Sequence, residues 1–598
     1  MSSLIVCGHL VVEMYSDSCV KDRTLQQTLL MKYNGCAVRL SRKFKKFFID
    51  FNARTQTGPL RTFHLGCRDK LSRANQVKHL ICFTFEGKWP RALLLGIFIH
   101  WITCSYSDET APVRMKREIR ISPAFHAGAL PPSLSCHAFE FDRPTLDPQV
   151  CVVCHLHLLT IEDCVTGNQL EPLRLKSDDL ADNCIREMKM HGHFQSGDDS
   201  LNALYQASQD PRCLHSRQFL QEASSDPPFV IDRDALKRGQ QVFWDNTLPI
   251  CNALLNASLA GGFASSRITP TLKSTGRLMT DSITLEPQSE MSRDRTYRRV
   301  LETTVWVTDV MRDDDFTSKV NTWEERRKSV GWQSTTRVRL LHAQVRNRLE
   351  KVKMESVPIN QEDMLGTLAG FCIVPMWTLK RMRLSPKNTE LDDFIHLWQY
   401  LGYYLGCSSD LLLHHFSSWK KAESFMSSIA IHILDPLSSP RLSFDLLMSM
   451  SDRPPRHESF HHLVAVSRYM LNDPICDAFK LPKTNWKSWF TSRMQVNALR
   501  WSHVLGHVMP GLRQEQAIFM KKFIPLSVEA RLGEDRRKMF SMRDDIKHGW
   551  KVNTNVHMDE EMIKLRKSIA FKHLIGTLTV LACLVATLVL LFHLCLLI

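Results

Sequence analysis

The stretch Arg337-Val-Arg339-Leu-Leu-His342-Ala-Gln-Val-Arg346 decides how this chain is read. Written as an α-helix, it sets Arg339, His342 and Arg346 at i−3, i and i+4, on one face. A neutral imidazole can ligate an iron, and guanidiniums beside it can pair with carboxylates. Haem b offers both an iron and two propionates. Upstream, Arg298-Arg299-Val-Leu-Glu302-Thr303-Thr304-Val-Trp306 sets Arg299 and Thr303 at i, i+4 and supplies a second polar face. The same pattern also suits an ordinary helix with a satisfied core histidine and a solvated basic face, so spacing alone leaves both readings open.

A series of further segments follows in order. They are Ser177-Asp-Asp-Leu-Ala-Asp182, Val230-Ile-Asp232 leading into Gly239-Gln-Gln-Val-Phe243, Ala253 to Leu259 with Gly261-Gly262-Phe263, and Leu272-Lys-Ser-Thr-Gly-Arg277. Beyond the two polar helices come Pro358-Ile-Asn-Gln-Glu-Asp363 and Leu397-Trp-Gln-Tyr-Leu-Gly402. In this order, residues from about 170 to 530 resemble the latex clearing protein (rubber oxygenase) family, and within it the fungal branch typified by the endoplasmic-reticulum-bound oxygenase of mycophenolic acid biosynthesis.

The resemblance implies an all-α fold with a globin-like helical core and additional helices, binding haem b non-covalently. It implies His342 as the proximal iron ligand, with Arg339 and Arg346 bracketing it as cofactor-binding residues. It implies Arg299 and Thr303 as catalytic residues of the haem pocket. Dioxygen and an apolar or isoprenoid substrate are the implied partners, and cleavage of a carbon–carbon double bond the implied reaction. Rubber-cleaving members carry a lysine just before the pocket threonine, where this chain has Glu302, and no counterpart of their upstream catalytic glutamate is evident. Glu302 therefore joins the candidate catalytic residues with an open role.

Composition agrees with a helical, membrane-associated enzyme. The 598 residues carry a formal net charge of +15 without the basic–aromatic runs of nucleic-acid binders, so no nucleic-acid partner is expected. An anionic membrane surface is the simpler partner. The 18 cysteines show no repeating framework and read as reduced. Residues 574–592 carry no charge and are long enough to span a bilayer. Lys564, Arg566, Lys567 and Lys572 precede them, which predicts a C-terminal anchor at 573–598 with the bulk of the chain in the cytosol, on the endoplasmic reticulum. Residues 165–530 form the expected oxygenase-like domain and 531–572 a charged linker.

Residues 1–140 are basic and cysteine-rich, with no sustained helical or strand period. They are expected to be a gene-model extension or to hold a short membrane segment at 92–103. Cys151-Val-Val-Cys154-His155 fits a c-type haem attachment pattern, but incidental cysteines are the plainer reading. Two other classes stand beside the oxygenase. Asp393…His396 and Glu458…His461 could form half of a non-haem di-iron site. A non-catalytic haem- or lipid-binding membrane scaffold or sensor is the third reading. Within the core, helices are expected at 237–260, 298–311, 331–351 (capped by Ser334 or Thr335), 361–383 (capped by Asn360) and 389–406. The aromatics of the last are candidates to line a pocket or fill the core, and a long loop is expected at 436–455.

Overall fold

The computed structural model describes residues 165–597, with breaks chiefly at 272–288, 433–441 and 541–555; before residue 165 it describes only the backbone of strand segments. Contacts divide the chain into two compact units, 1–116 with 581–598, and 117–580. Strands Ser3–Cys7, Leu10–Ser16, Gln27–Ser41, His79–Glu86, Arg61–Cys67 and Phe47–Ile49 are hydrogen-bonded in that order. A separate antiparallel sheet joins Ala138–Phe139, Val150–Val153 and His157–Thr160. The absence of a strand period in the sequence did not anticipate these sheets. In the longest strand the apolar residues Leu29-Leu30-Met31 run consecutively and the register shifts at Asn34 and Gly35, so alternation is lost. The 92–103 segment and the cysteine and histidine side chains of 151–155 lie outside the described residues.

Among the described residues, 165–597 holds helices and no strand, as expected of an all-α body. Its core is one continuous apolar cluster running from Leu170 to Phe540. The helix carrying Arg299 and Thr303, here the arginine helix, is Glu290–Arg312, which starts eight residues before Arg298 because Ser289 caps it from further upstream. The histidine helix is Val330–Leu349, capped by Ser329, whose hydroxyl accepts from the Trp332 amide; the cap therefore lies earlier than Ser334 or Thr335. Asp313 ties the two together, accepting from Ser329 Oγ and the Gly331 amide, both at 2.7 Å.

The next helix, Gln361–Arg381, begins with the expected capping box, in which Asn360 and Asp363 satisfy each other's backbone amides. It forms one wall of the cavity described below and is called the cavity helix. Asn388–Tyr404 follows, and its Phe394, Trp398, Tyr400 and Tyr404 are buried core residues that do not line that cavity. Two expectations need correction. The 237–260 helix is broken into Arg233–Asp245 and Thr247–Ala253, with Pro249 in the second, and continues as a π-helical segment Leu254–Leu259. Proline cannot donate to the ladder, and π segments widen a helix where a site is built. The expected loop at 436–455 contains a helix, Leu442–Met450, whose two serines, Ser443 and Ser449, are buried with Leu442, Leu446, Leu447 and Met450.

At the C-terminus a single helix, Glu560–Leu597, includes a stretch long and apolar enough to cross a membrane. Its first turns lie against the hairpin Trp486–Val508 and Leu512–Leu532, with Lys572 on Glu515 at 2.8 Å and Trp501 Nε1 donating to Thr577 at 3.0 Å.

Helix packing is closest at Gly239, where an added Cβ would stand 2.7 Å from the Asp393 carbonyl oxygen and 3.0 Å from Leu397 Cβ. Both are backbone-proximal and cannot swing aside. Gly239→Ala is expected to cost about 1–3 kcal/mol. Thermal melting of the detergent-solubilised chain checks this, and an unchanged midpoint would contradict the packing described.

Candidate active site

The sequence pattern puts two arginines beside His342, and the fold supplies each with a carboxylate. The helix Asp179–Met190, capped by Asp178, runs against the histidine helix. Asp178 receives Arg339 through two bonds, from Nε at 2.6 Å and from Nη2 at 3.0 Å, and Glu222 takes a third from Nη2 at 2.7 Å. Four residues after Asp178, Asp182 receives Arg346 Nε at 2.7 Å. The i, i+4 acids thus bracket the same helix face as the arginines. Burial raises the Asp178 carboxyl's pKa, but Arg339 and then Arg346 more than offset this and hold it below its ordinary value. For Asp182 burial wins over Arg346, and the net shift is upward.

Gly406, in the left-handed region at φ +93°, sits directly on the first pair; an added Cβ there would overlap the Asp178 carboxylate and the Arg339 guanidinium. Arg346 Nη1 also donates to the carbonyl of Ile359 at 3.2 Å. Ile359 is a β-branched residue at φ +50°, immediately before the cap of the cavity helix. The arginines were expected either to hold propionates or to fix the helix; these bonds fix the helix. Each keeps one buried nitrogen without a protein partner, Arg339 Nη1 and Arg346 Nη2.

His342 lies between them. From Ser334 to Arg346 every residue is buried except His342, which is partly exposed. A partly exposed residue in the middle of a helix buried on all sides opens onto a space that its neighbours do not fill. Its Nδ1 is buried and has no hydrogen-bond partner. Burial, then the charges of Arg346 and Arg299, push its pKa down to about 3, so the imidazole is neutral at physiological pH. That is the form that ligates a metal.

A cavity of about 380 Å³ adjoins the arginine helix, the π-helical segment and the cavity helix. Its wall is mainly apolar, with Arg299, Thr303, Glu362 and Asp363 among the polar exceptions. Thr303 Oγ1 donates to the Arg299 carbonyl at 3.0 Å, leaving oxygen lone pairs for the cavity. Arg299 Nη1 donates to Glu302 at 3.0 Å. Glu302 also accepts from Arg298 Nε at 3.2 Å, is buried, and does not line the cavity. The candidate catalytic role for Glu302 is therefore corrected to that of a counter-charge for Arg298 and Arg299. On the helix Glu302 lies about 100° from Thr303 and close enough to Arg299, three residues before it, to pair with it. His342 is not among the cavity's lining residues; Arg299, whose charge acts on His342, lines it and links the two.

Glu362 and Asp363 were quoted in the sequence only as part of a segment and a helix cap. Glu362 Oε1 accepts from Arg267 Nη1 at 2.6 Å, and Oε2 is buried without a partner. Asp363 accepts from the Asn360 amide at 3.4 Å, and burial, then the neighbouring Glu362 charge, raise its pKa to about 7. Two adjacent acids at a helix start read as ordinary capping, so their exposure to a cavity was not legible.

The proposed di-iron elements do not meet. Asp393 is held by Arg238 at 2.7 and 2.9 Å, and His396 Nε2 accepts from the Asp232 amide at 3.1 Å. Glu458 lies near Arg456, and His461 is exposed. Among the described residues, one cluster has metal-ligand proximity, His193, Asp210 and Cys213, and there Arg212 occupies the Asp210 carboxylate at 2.7 Å.

Residues 258–501 match the model of the family described as ER-bound oxygenase mpaB/B'/Rubber oxygenase, catalytic domain. The span takes in both polar helices and the cavity helix, and the chain therefore carries an oxygenase-type catalytic domain. The structure entitled "Structure of Latex Clearing Protein LCP in the closed state" is similar at 18% identity, covering 60% of this chain and 79% of that one, with a TM-score of 0.34. No curated protein matches the chain.

Breaking a buried pair leaves an uncompensated charge. Asp178→Asn, which leaves Arg339 with Glu222 alone, is expected to destabilise the body by about 3 kcal/mol. Chemical denaturation reads this, and a loss below about 1 kcal/mol would refute the bracket's importance. The depressed His342 pKa adds a sign: stability is present above its unfolded value near 6.5 and is lost as pH falls toward about 3. His342→Phe should flatten that part of the acid-unfolding profile.

Proposed function

We propose that the chain is a haem b-dependent oxygenase that cleaves a carbon–carbon double bond in a prenylated or other apolar small molecule. The observation that carries the reading is His342. It is neutral, its Nδ1 has no partner, and it is the one partly open residue in an otherwise buried run. The unpartnered Arg339 and Arg346 nitrogens fit a group carrying both a metal and carboxylates. His342 would hold the iron, and Arg339 and Arg346 would keep the histidine helix in place and offer their free nitrogens to the cofactor edge. Haem, when bound, supplies a redox-active iron for chemistry with dioxygen.

The chain's own residues do the rest. Arg299, on the cavity wall and restrained by Glu302, carries positive charge to where negative charge develops during oxygen chemistry. Thr303 keeps its proton on its own helix and presents an acceptor. The apolar wall excludes water and takes up the hydrocarbon part of the substrate. The long apolar stretch of Glu560–Leu597 favours a C-terminal anchor, with the charged 531–572 region as linker and the catalytic domain on the cytosolic face of the endoplasmic reticulum. An anchor of this kind brings the cavity to substrates dissolved in lipid.

His342→Ala is expected to lose most of its haem, measured as the pyridine haemochrome per chain, while its helical circular dichroism is kept. Full retention would reject His342 as ligand. Oxygen uptake with carbonyl fragments released from a prenylated phenol separates an enzyme from a haem- or lipid-binding scaffold; haem binding without either, across a panel of prenylated compounds, would favour the scaffold.

A further inference from the structure

The head of the cavity differs from the rest of its wall. Thr303, Thr304, Thr308 and Thr378 line it, yet each donates its hydroxyl proton to a carbonyl of its own helix. Against this largely apolar wall stand two carboxyl groups on consecutive residues, Glu362 and Asp363. The Glu362 side chain is only 1% exposed; one oxygen is satisfied by Arg267, and Oε2 has no protein donor. Asp363 is partly open and accepts a long 3.4 Å bond from the Asn360 amide, which leaves accepting capacity on its carboxylate. A buried acceptor left unsatisfied costs about 1–3 kcal/mol, which a ligand's donor can recover.

We propose that the Glu362–Asp363 pair receives a hydroxyl group of the substrate, so that the cavity selects an apolar molecule bearing a hydrogen-bond donor over a plain hydrocarbon. The proposal rests on the reading of this cavity as the substrate site. It also sets the ligand's orientation. The donor end lies at the start of the cavity helix and the hydrocarbon end extends along the π-helical segment toward Leu255 and Leu259. The same carboxylates repel an anionic end group, so a fatty-acid carboxylate is the wrong partner there. Arg267 holds Glu362 in place and is itself shared with Glu171 at 3.4 Å, which leaves it poorly available to recruit an anion.

The test uses the full chain in detergent micelles at pH 8, with two probes of nearly equal apolar volume, farnesol and its methyl ether. Binding is measured by calorimetry and referred to each probe's partition into protein-free micelles. The expected result is that the alcohol binds at least about tenfold more tightly than the ether, as for a buried acceptor losing its donor. In Asp363→Leu the preference should fall to near unity, with Asp363→Asn retaining part of it and preserving the helix cap should the leucine variant misfold. Equal binding of alcohol and ether by the unaltered chain overturns the proposal, as does a preference that survives in both variants. Haem content is read on the same samples. A chain that lacks haem but prefers the alcohol contradicts the oxygenase reading alone, and one that holds haem with no preference contradicts this inference alone.

Discussion

The two buried ion pairs beside His342 are what the rest of the site depends on. Asp178 and Asp182 lie one helical turn apart, and Arg339 and Arg346 lie two turns apart on the facing helix, with His342 between them. Charges this well covered are tolerated only when partnered, so the pairs restrict how the helices can slide or rotate against each other. Gly406 exists to make room for the first pair, and the strained Ile359 is held by the second. Through Ile359 the constraint reaches Asn360 and the start of the cavity helix. One set of electrostatic contacts thus fixes both the ring that would face an iron and the carboxyl groups at the head of the cavity.

This arrangement keeps buried charge partnered within a mainly apolar interior. Burial, then the positive charges of Arg346 and Arg299, leave His342 neutral, while Asp178 and Glu222 hold Arg339 and Asp182 holds Arg346. Arg299 is treated likewise by Glu302. Around the histidine helix and the head of the cavity, the buried atoms left without a protein partner include one nitrogen each on Arg339 and Arg346, Nδ1 of His342 and Oε2 of Glu362.

Much of this was legible in the sequence. The i−3, i, i+4 spacing gave the helix and its polar face, the Asn360–Asp363 box gave a helix start, and the uncharged C-terminal run gave a helix of spanning length. What escaped was non-local. Ser177 to Asp182 could be quoted as a segment, but nothing within it says that its acids meet arginines some 160 residues later, because i, i+4 acids also suit a solvated helix. Glu302 could not be oriented without knowing which face of its helix was buried. Pro249 signalled a break that an apolar stripe concealed, and the aromatics of Asn388–Tyr404 turned out to be packing residues, which pattern alone does not distinguish from a pocket lining. The sheets before residue 165 depend on pairing between distant strands, and no single strand there alternates cleanly.

The central claim, that His342 presents a neutral imidazole to a haem iron with an open opposite face, is tested most directly by one spectrum. The purified full chain would be reconstituted with haem b, reduced, and exposed to carbon monoxide. The account predicts a Soret band that shifts on reduction and again on carbon monoxide, with both responses lost in His342→Ala. A folded chain that takes up no haem, or one whose spectrum is the same with and without His342, would contradict it.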